Sequence, residues 1–377
     1  MNDSGKTSGS LRTFLWDVSG AFGDIGVLFP LAVALIAKNH FNPTALFLMA
    51  GIFYAASAWY FRITMPVQPL KAMAAIAIAT GMGYEVINAA GIVMGIFLIF
   101  IAVTGLSAWL GKIFPVSVIR GIQLGLGAML VRTSFGLMSP DIVVAILAAA
   151  LLLVSMTVLK EIPPLIPLLV LGTVLSIKGA TFAVFGPVAL TPAVPDLNTL
   201  WTGFIILVLP QIALTFGNAV VATSETGRLL YGEKAGRLNL QSIPISMGIA
   251  NIASGIVGGA PMCHGCGGLT AHCKFGASSE RSGYIMAIVL ILIALMFGHS
   301  ALSVVSAFPS GILGILLCYV GIQHSLFMKD ILDDRKAVFV AMTVAVMGFW
   351  TNNLTIGFLL GLVIHYSLMA MKNTIRV

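Results

Sequence analysis

Thr64-Met-Pro-Val-Gln-Pro-Leu-Lys71 and Gly258-Gly-Ala-Pro-Met-Cys-His-Gly-Cys-Gly-Gly268 interrupt an otherwise continuous series of apolar segments. Each stretch is anchored by proline, reads as locally extended, and opens a helix too short to cross a bilayer. Pro66 and Pro261 stand 195 residues apart. Backbone that leaves regular helix at membrane depth is tolerated only where protein or a water-filled cavity receives its polar groups. Two such interruptions in matching halves of a chain mark the binding site of a membrane carrier.

The surrounding composition agrees with a membrane interior. The chain is 59% hydrophobic and 9% charged, with a mean hydropathy of +1.04, whereas soluble domains carry about 25% charged residues. An all-α integral membrane protein follows. The net charge of +7 does not read as nucleic-acid binding, because no basic run with interleaved aromatics is present and the basic residues sit mostly in short loops. Residues 1–10 are polar, and the first apolar segment has no small-residue cleavage site. Four cysteines without a secreted pattern predict no disulfide framework.

A spanning helix needs about 20 apolar residues. Such segments run at about 22–37, 44–61, 85–110, 116–134, 140–159 and 163–185, then at about 201–225, 240–257, 282–298, 302–321, 336–351 and 354–371. The interrupted stretches, about 69–81 and 263–276, bring the total to fourteen. Each short helix reaches only about 20 Å of a hydrocarbon core about 30 Å thick, so the extended residues must supply the rest.

Fourteen segments place both termini on one side. That side receives Lys and Arg at 6, 12, 62, 112, 120, 160, 228, 234, 237, 274, 281, 329, 335, 336, 372 and 376, against Lys38, Arg132 and Lys178 opposite. The bias predicts cytoplasmic termini and a cell (inner) membrane location. Lys71 alone is left inside the membrane. Trp16, Trp59, Trp109 and Trp201 fall near predicted span ends, as interfacial anchors do.

Phe114-Pro-Val-Ser and Phe308-Pro-Ser-Gly each open a helix, 194 residues apart, close to the offset of the two prolines. Each half then holds seven segments. An odd number inverts the second half relative to the first, which makes a 7+7 inverted repeat. The expected organisation is an N-terminal cytoplasmic segment 1–21, a first repeat 22–187, a linker 188–199 and a second repeat 200–377.

The candidate chemistry gathers on the interruptions. A helix N-terminus presents unpaired N–H groups and about half a positive charge, so two such ends facing each other form an anion site. Pro69 suits a first helical turn, where its missing N–H is no loss. Gly265, Gly267 and Gly268 expose backbone to a ligand. Lys71 is read either as an anion contact or as a structural cation, paired with Asp24 or Glu225 or reaching the cytoplasmic surface. Asp24 is a proton-coupling carboxylate, a partner for Lys71, or an N-cap. Glu225, close to Arg228, is expected to serve structure or gating. Gln68, Gln211 and Asn218 are amides at membrane depth, suited to donating to an oxyanion or to joining helices. Cys263, His264, Cys266, His272 and Cys273 are soft-ligand types, yet the second, distant ligand pair of a structural zinc site is missing. They read as site-lining groups, and no metal or cofactor is expected.

Four stretches carry a family likeness: Phe22-Gly-Asp-Ile-Gly-Val-Leu-Phe-Pro30, Met65-Pro-Val-Gln-Pro-Leu-Lys-Ala-Met73, Leu209-Pro-Gln-Ile-Ala-Leu-Thr-Phe-Gly-Asn-Ala219, and Pro261-Met-Cys-His-Gly-Cys-Gly-Gly268 followed by Lys274-Phe-Gly276. On these the chain resembles the molybdate transporter family related to the sulfate permeases, from about residue 12 to its end. The resemblance implies a seven-plus-seven fold shared with sulfate permeases and nucleobase transporters. Substrate would bind between the third and tenth segments, a core domain would move against a gate domain, and the protein would form a homodimer. It also implies an oxyanion substrate, molybdate first, surrounded by Gln68, Lys71, Gln211, Cys263 and His264. Cys266 departs from the small non-thiol residue usual there, and the C-terminal regulatory domain common in sulfate permeases is not expected.

Rival readings are a sulfate transporter, a nucleobase carrier of the same fold, a passive anion channel, and an intramembrane metal or thiol enzyme built on Cys263, His264 and Cys266. Nucleobase carriers place a carboxylate where the tenth segment begins, and no acid occurs here between Glu233 and Glu280. Proton symport, sodium coupling and facilitated passage stay open as modes of transport; Asp24 is the candidate for a proton, and no clear sodium cage is visible.

Overall fold

In a computed structural model, the two proline-anchored stretches lie side by side at the centre of a helical bundle. The structure describes residues 4–107, 109, 114–159, 162–179, 184–192, 195–351 and 353–374. Lys112, Lys160 and Arg376 of the charge tally lie outside the described residues.

The first half contains α1 (Ser4–Ala21), α2 (Ile25–Asn39), α3 (Pro43–Phe61), strand β1 (Gln68–Pro69), α4 (Lys71–Thr80), α5 (Tyr84–Val103), α6 (Val116–Met138), α7 (Ile142–Thr157) and α8 (Ile166–Gly179). The second contains α9 (Leu197–Gly203), α10 (Leu209–Leu214), α11 (Thr223–Tyr231), α12 (Ser242–Val257), strand β2 (Met262–Cys263), α13 (Cys266–Lys274), α14 (Arg281–Phe297), α15 (Ala301–Ser306), α16 (Ser310–Ser325), α17 (Arg335–Trp350) and α18 (Leu354–Thr374). Stretches of π-helix, Phe204–Val208 and Thr215–Ala222, flank α10.

Among the described residues, five helices are long and apolar enough to cross a bilayer, or seven if each of two bent pairs is one span. One bent pair joins Leu11–Ala21 to Ile25–Asn39 at 42°. Leu11–Ala21 is therefore built into the bundle. Its Asp17 is buried and accepts hydrogen bonds from Ser278 N (3.0 Å), Ser279 Oγ (2.7 Å) and Ser282 Oγ (3.1 Å). Asp196 caps α9 by accepting from Thr199 N (2.7 Å), so helix begins at Leu197. The apolar run at about 302–321 divides at Phe308-Pro309, with Pro309 as N-cap of α16.

Two groups of helices enclose the centre. In one, α3 packs on α14 and α5 on α12; in the other, α6 packs on α16 and α17, and α17 on α18. Glycines permit the closest approaches. A Cβ on Gly95 of α5 would lie 2.6 Å from Gly248 O of α12, and one on Gly127 of α6 2.6 Å from Gly321 O of α16. Small residues of this kind let membrane helices approach through backbone contact.

β1 and β2 pair antiparallel, Gln68 opposite Cys263 and Pro69 opposite Met262. Leu70 N donates to Pro261 O (2.9 Å) and Met262 N to Asn251 Oδ1 (2.6 Å). These bonds satisfy polar backbone that no solvent reaches at this depth. They also explain why Pro69 does not enter the first helical turn: pairing with Met262 holds it extended, and Leu70 becomes the N-cap of α4.

Candidate functional site

The paired strands deliver α4 and α13 to the same place, each by its N-terminus. Lys71 is the first residue of α4 and is half-buried, while Gly265 is the N-cap of α13. A Cβ added at Gly265 would stand 3.2 Å from Lys71 Nζ and 3.1 Å from Gln68 Oε1. The missing side chain at Gly265 thus lets the Lys71 ammonium and Gln68 come up against the start of α13. Gln68 Oε1 is buried and has no hydrogen-bond partner.

Asp24 occupies the N-cap position of α2 without capping it. Its Oδ2 instead accepts from Gln68 Nε2 and lies 2.7 Å from where a Cβ on Gly268 would be. Lys71 acts electrostatically on Asp24, Cys263, Cys266 and His324. An acid therefore does stand beside the second half-helix. It arrives from α2, where a search of the 233–280 interval could not find it.

The two helix openings differ in what fills them. The N–H groups of Ala72 and Met73 both donate to Gln211 Oε1 (2.8 and 3.0 Å), and Gln211 Nε2 donates to Thr215 Oγ1 (2.9 Å). A side chain from α10 therefore caps α4. In α13 the first i to i−4 bond runs from Leu269 N to Gly265 O (3.1 Å), so the N–H groups of Cys266, Gly267 and Gly268 precede the helical ladder.

Asn218 meets α13 from the π-helical stretch, its Oδ1 accepting from Cys266 Sγ (2.7 Å). The thiol also lies 3.3 Å from His324 Nε2, and His324 Nδ1 is 3.0 Å from Thr270 Oγ1. Cys263 lies on β2, buried. His264 turns away: its Nδ1 is 2.9 Å from Pro66 O, its Nε2 3.2 Å from Ser246 Oγ, and its ring packs on Phe53 and Phe61. His272 points elsewhere again, to Thr64 Oγ1 (2.6 Å) and against Tyr54. The soft-ligand types thus diverge onto separate partners, and among the described residues no group of three or more His, Cys, Asp or Glu is placed to hold a metal.

Glu225 pairs not with Arg228 but with Arg120, at 3.5 Å. Arg120 is no loop residue. It is buried in α6, where Nε binds both oxygens of Asp330 (2.9 and 2.8 Å) and Nη1 binds Gln123 Oε1 (3.2 Å). Gln123 Nε2 then reaches Thr226 Oγ1 (3.0 Å). Two ties therefore join α6 to α11. His324 and Gln123 belong to no motif, and Arg120 entered only as a counted charge, although a lone ionisable group in an apolar helix is itself a signal.

A family model described as a molybdate transporter of the MFS superfamily matches residues 17–130 and 203–323. The chain belongs to this molybdate transporter family. The matched stretches contain both interruptions, α2, α10 and the α6–α11 ties; His324 falls one residue beyond. Molybdate transporter 2 of Arabidopsis thaliana is 27% identical over 403 residues, covering 93% of this chain and 86% of its own. Molybdate transporter 1 of Chlamydomonas reinhardtii is 24% identical, covering 92% and 90%. In fold the chain is similar to the transmembrane domain of the cyanobacterial bicarbonate transporter BicA, with a TM-score of 0.58 at 18% identity over 92% of this chain and 98% of that one. SLC26A9 gives a TM-score of 0.64 at 13% identity, over 96% of this chain and 65% of its own. The protein is a multi-pass membrane transporter and not an enzyme.

Proposed function

We propose that this protein carries a tetrahedral oxyanion, molybdate first, across the cell (inner) membrane by alternating access. The anion sits at the α13 opening beside Lys71. The observation that carries this reading is the glycine-bounded N-terminus of α13, whose N-cap Gly265 lies against the Lys71 ammonium. Backbone N–H groups at a helix start, plus one cation, match the needs of a small dianion. In this reading Gln68, Asn218 and Cys263 surround the anion, Gln211 orients α4, and His264 braces the two extended stretches.

Asp24 is the proton-coupling group. A carboxylate beside a dianion repels it, so a proton on Asp24 favours binding and its release follows the anion out. The 7+7 inverted repeat, with halves 22–187 and 200–377 and both termini cytoplasmic, is supported by the 194-residue offset. Displaced by that offset, α4 begins at 265, one residue before Cys266, and α6 begins at 310, at Ser310. The same offset exchanges the packed pair α3 and α14 with α12 and α5. Alternating access would move α6, α16, α17 and α18 against the crossing. That motion would break Arg120–Glu225, Gln123–Thr226 and Cys266–His324.

Asp24 also favours one second reading, a nucleobase carrier, since a carboxylate next to the α13 opening could accept from ring N–H groups. Calorimetry on purified protein separates the two, with molybdate as ligand and sulfate and uracil as competitors, repeated on Lys71→Ala. Molybdate binding weakened about a hundredfold by the substitution, some 2.7 kcal/mol, is the expected outcome. Uracil binding in its place would overturn the oxyanion reading; competition by sulfate at equal strength would widen it to oxyanions generally.

A further inference from the structure

On one flank of the bundle α3 and α12 run antiparallel over an apolar groove of about 340 Å³. Arg237 Nη1 bonds Tyr60 O (2.8 Å) at one end, and Gly259 abuts Met49 at the other. From Met49 to Tyr60 the groove follows α3 for about 16 Å at 1.5 Å per residue. Its floor is set by the short side chains of Ala56, Ser246 and Ala250, and its walls include Trp59 and Ile249. Those two are 62% and 59% exposed, although they face hydrocarbon rather than water in a membrane.

The groove is polar at one end only. Arg237 is held there through Tyr60 O and through Ser242 Oγ, which donates to Arg237 O (2.6 Å). Arg62, exposed, is the C-cap of α3 just past Tyr60. Trp59 and Tyr60 lie at the same end, as aromatic anchors do at the headgroup level. An apolar trough that ends at the Arg237 guanidinium on Tyr60 O, with Arg62 two residues further along the chain, has the polarity of a single phospholipid. Basic pockets between membrane helices bind anionic headgroups, and guanidinium forks suit phosphate oxygens. A second copy fits less well: a helix is about 10 Å across, and α3 and α12 touch beneath the groove.

We infer that the α3/α12 groove binds an anionic glycerophospholipid, one acyl chain lying between the helices and the phosphate held by Arg62 and Arg237. The floor lies close to the centre of the molecule. Ser246 Oγ is 3.2 Å from His264 Nε2, and His264 Nδ1 is 2.9 Å from Pro66 O. One side chain therefore separates the lipid from the paired strands.

Native mass spectrometry of delipidated protein, titrated with phosphatidylglycerol or with phosphatidylcholine of the same chains, tests this. Wild type should retain one phosphatidylglycerol about tenfold more tightly than phosphatidylcholine. Arg62→Gln combined with Arg237→Gln should erase that preference, and Ala250→Trp should remove the site for both lipids. Equal retention of the two lipids by wild type, or a preference that survives the double substitution, would overturn the inference. So would a disulfide-linked dimer formed through Ile249→Cys, because a second copy would then cover the groove. A second readout, needing only one conservative substitution, guards against misfolded variants. The part of tryptophan fluorescence lost in Trp59→Phe should be quenched more strongly by acyl-brominated phosphatidylglycerol than by brominated phosphatidylcholine, and equal quenching counts against the site.

Discussion

The two half-helices meet as near-equivalents in length and approach, yet their openings are finished differently. α4 carries the cation, Lys71, and has Ala72 and Met73 capped by Gln211. α13 carries no cation in its first turn, and its N-cap, Gly265, has no side chain to offer its own backbone. One start is charged and capped by a side chain; the other is neutral and bounded by glycines. The difference teaches that two half-helices of one crossing need not be finished alike: the charge comes from one half and the N–H groups without a side-chain cap from the other.

The harshest way to break this division is to fill the α13 opening. In Gly268→Val a Cβ would collide with Gln68 Nε2, and would lie 2.6 Å from Pro66 Cβ and 2.7 Å from Asp24 Oδ2. Uptake should vanish, and the melting temperature in detergent should fall by several degrees. Retained uptake would show that the crossing opens more widely than its packing implies.

Asp24→Asn comes next, because it removes a charge rather than a volume. If Asp24 carries the coupled proton, wild-type uptake falls as pH rises and that carboxyl ionises. The asparagine variant, which cannot titrate, should give a flat pH profile measured in proteoliposomes with an imposed proton gradient. A variant that keeps the wild-type slope would reassign coupling to another group.

Gln211→Ala sharpens the comparison by making α4 resemble α13. Losing a side-chain cap costs about 1–2 kcal/mol. If the anion is gripped chiefly at α13, thermal stability should fall while anion affinity drops less than tenfold. Tighter molybdate binding by calorimetry would instead mean that Gln211 competes with the substrate for the α4 donors.

The smallest effect belongs to Glu225→Gln. Its pairing with Arg120 spans 3.5 Å and Glu225 is 32% exposed, so the tie is worth less than about 1 kcal/mol. Transport rate should change about twofold, while equilibrium binding stays the same. A tenfold change in binding would place Glu225 in the site itself.

Much of the site was legible in the chain. The proline-anchored interruptions, the helices they open and the intramembrane Lys71 all follow from local rules: proline donates no backbone hydrogen bond and disfavours helix at the residue before it, and a bilayer tolerates neither bare backbone nor an unpaired charge without reason. Asp24 was legible as important but ambiguous, since its role depended on which side chain reached it. Its partner, Gln68, lies 44 residues away. His324 and Arg120 were harder to see, for opposite reasons. One sits in a featureless apolar helix, and the other entered only as a counted cytoplasmic-side charge, although arginine is costly inside a membrane. Asp330 and Gln123 meet that cost here.

The sequence by itself determined that this is a membrane protein with two broken segments and a cation at one of them, because hydropathy and proline stereochemistry act over a few residues. Only the tertiary structure decided which polar groups meet. It capped α4 with Gln211 from 139 residues away, left α13 open, turned His264 outward onto Ser246 and brought Asp24 to the crossing. The physical reason is that hydrogen bonds at membrane depth must be completed by whatever the packing brings near, and packing is set by helix faces distant in the chain.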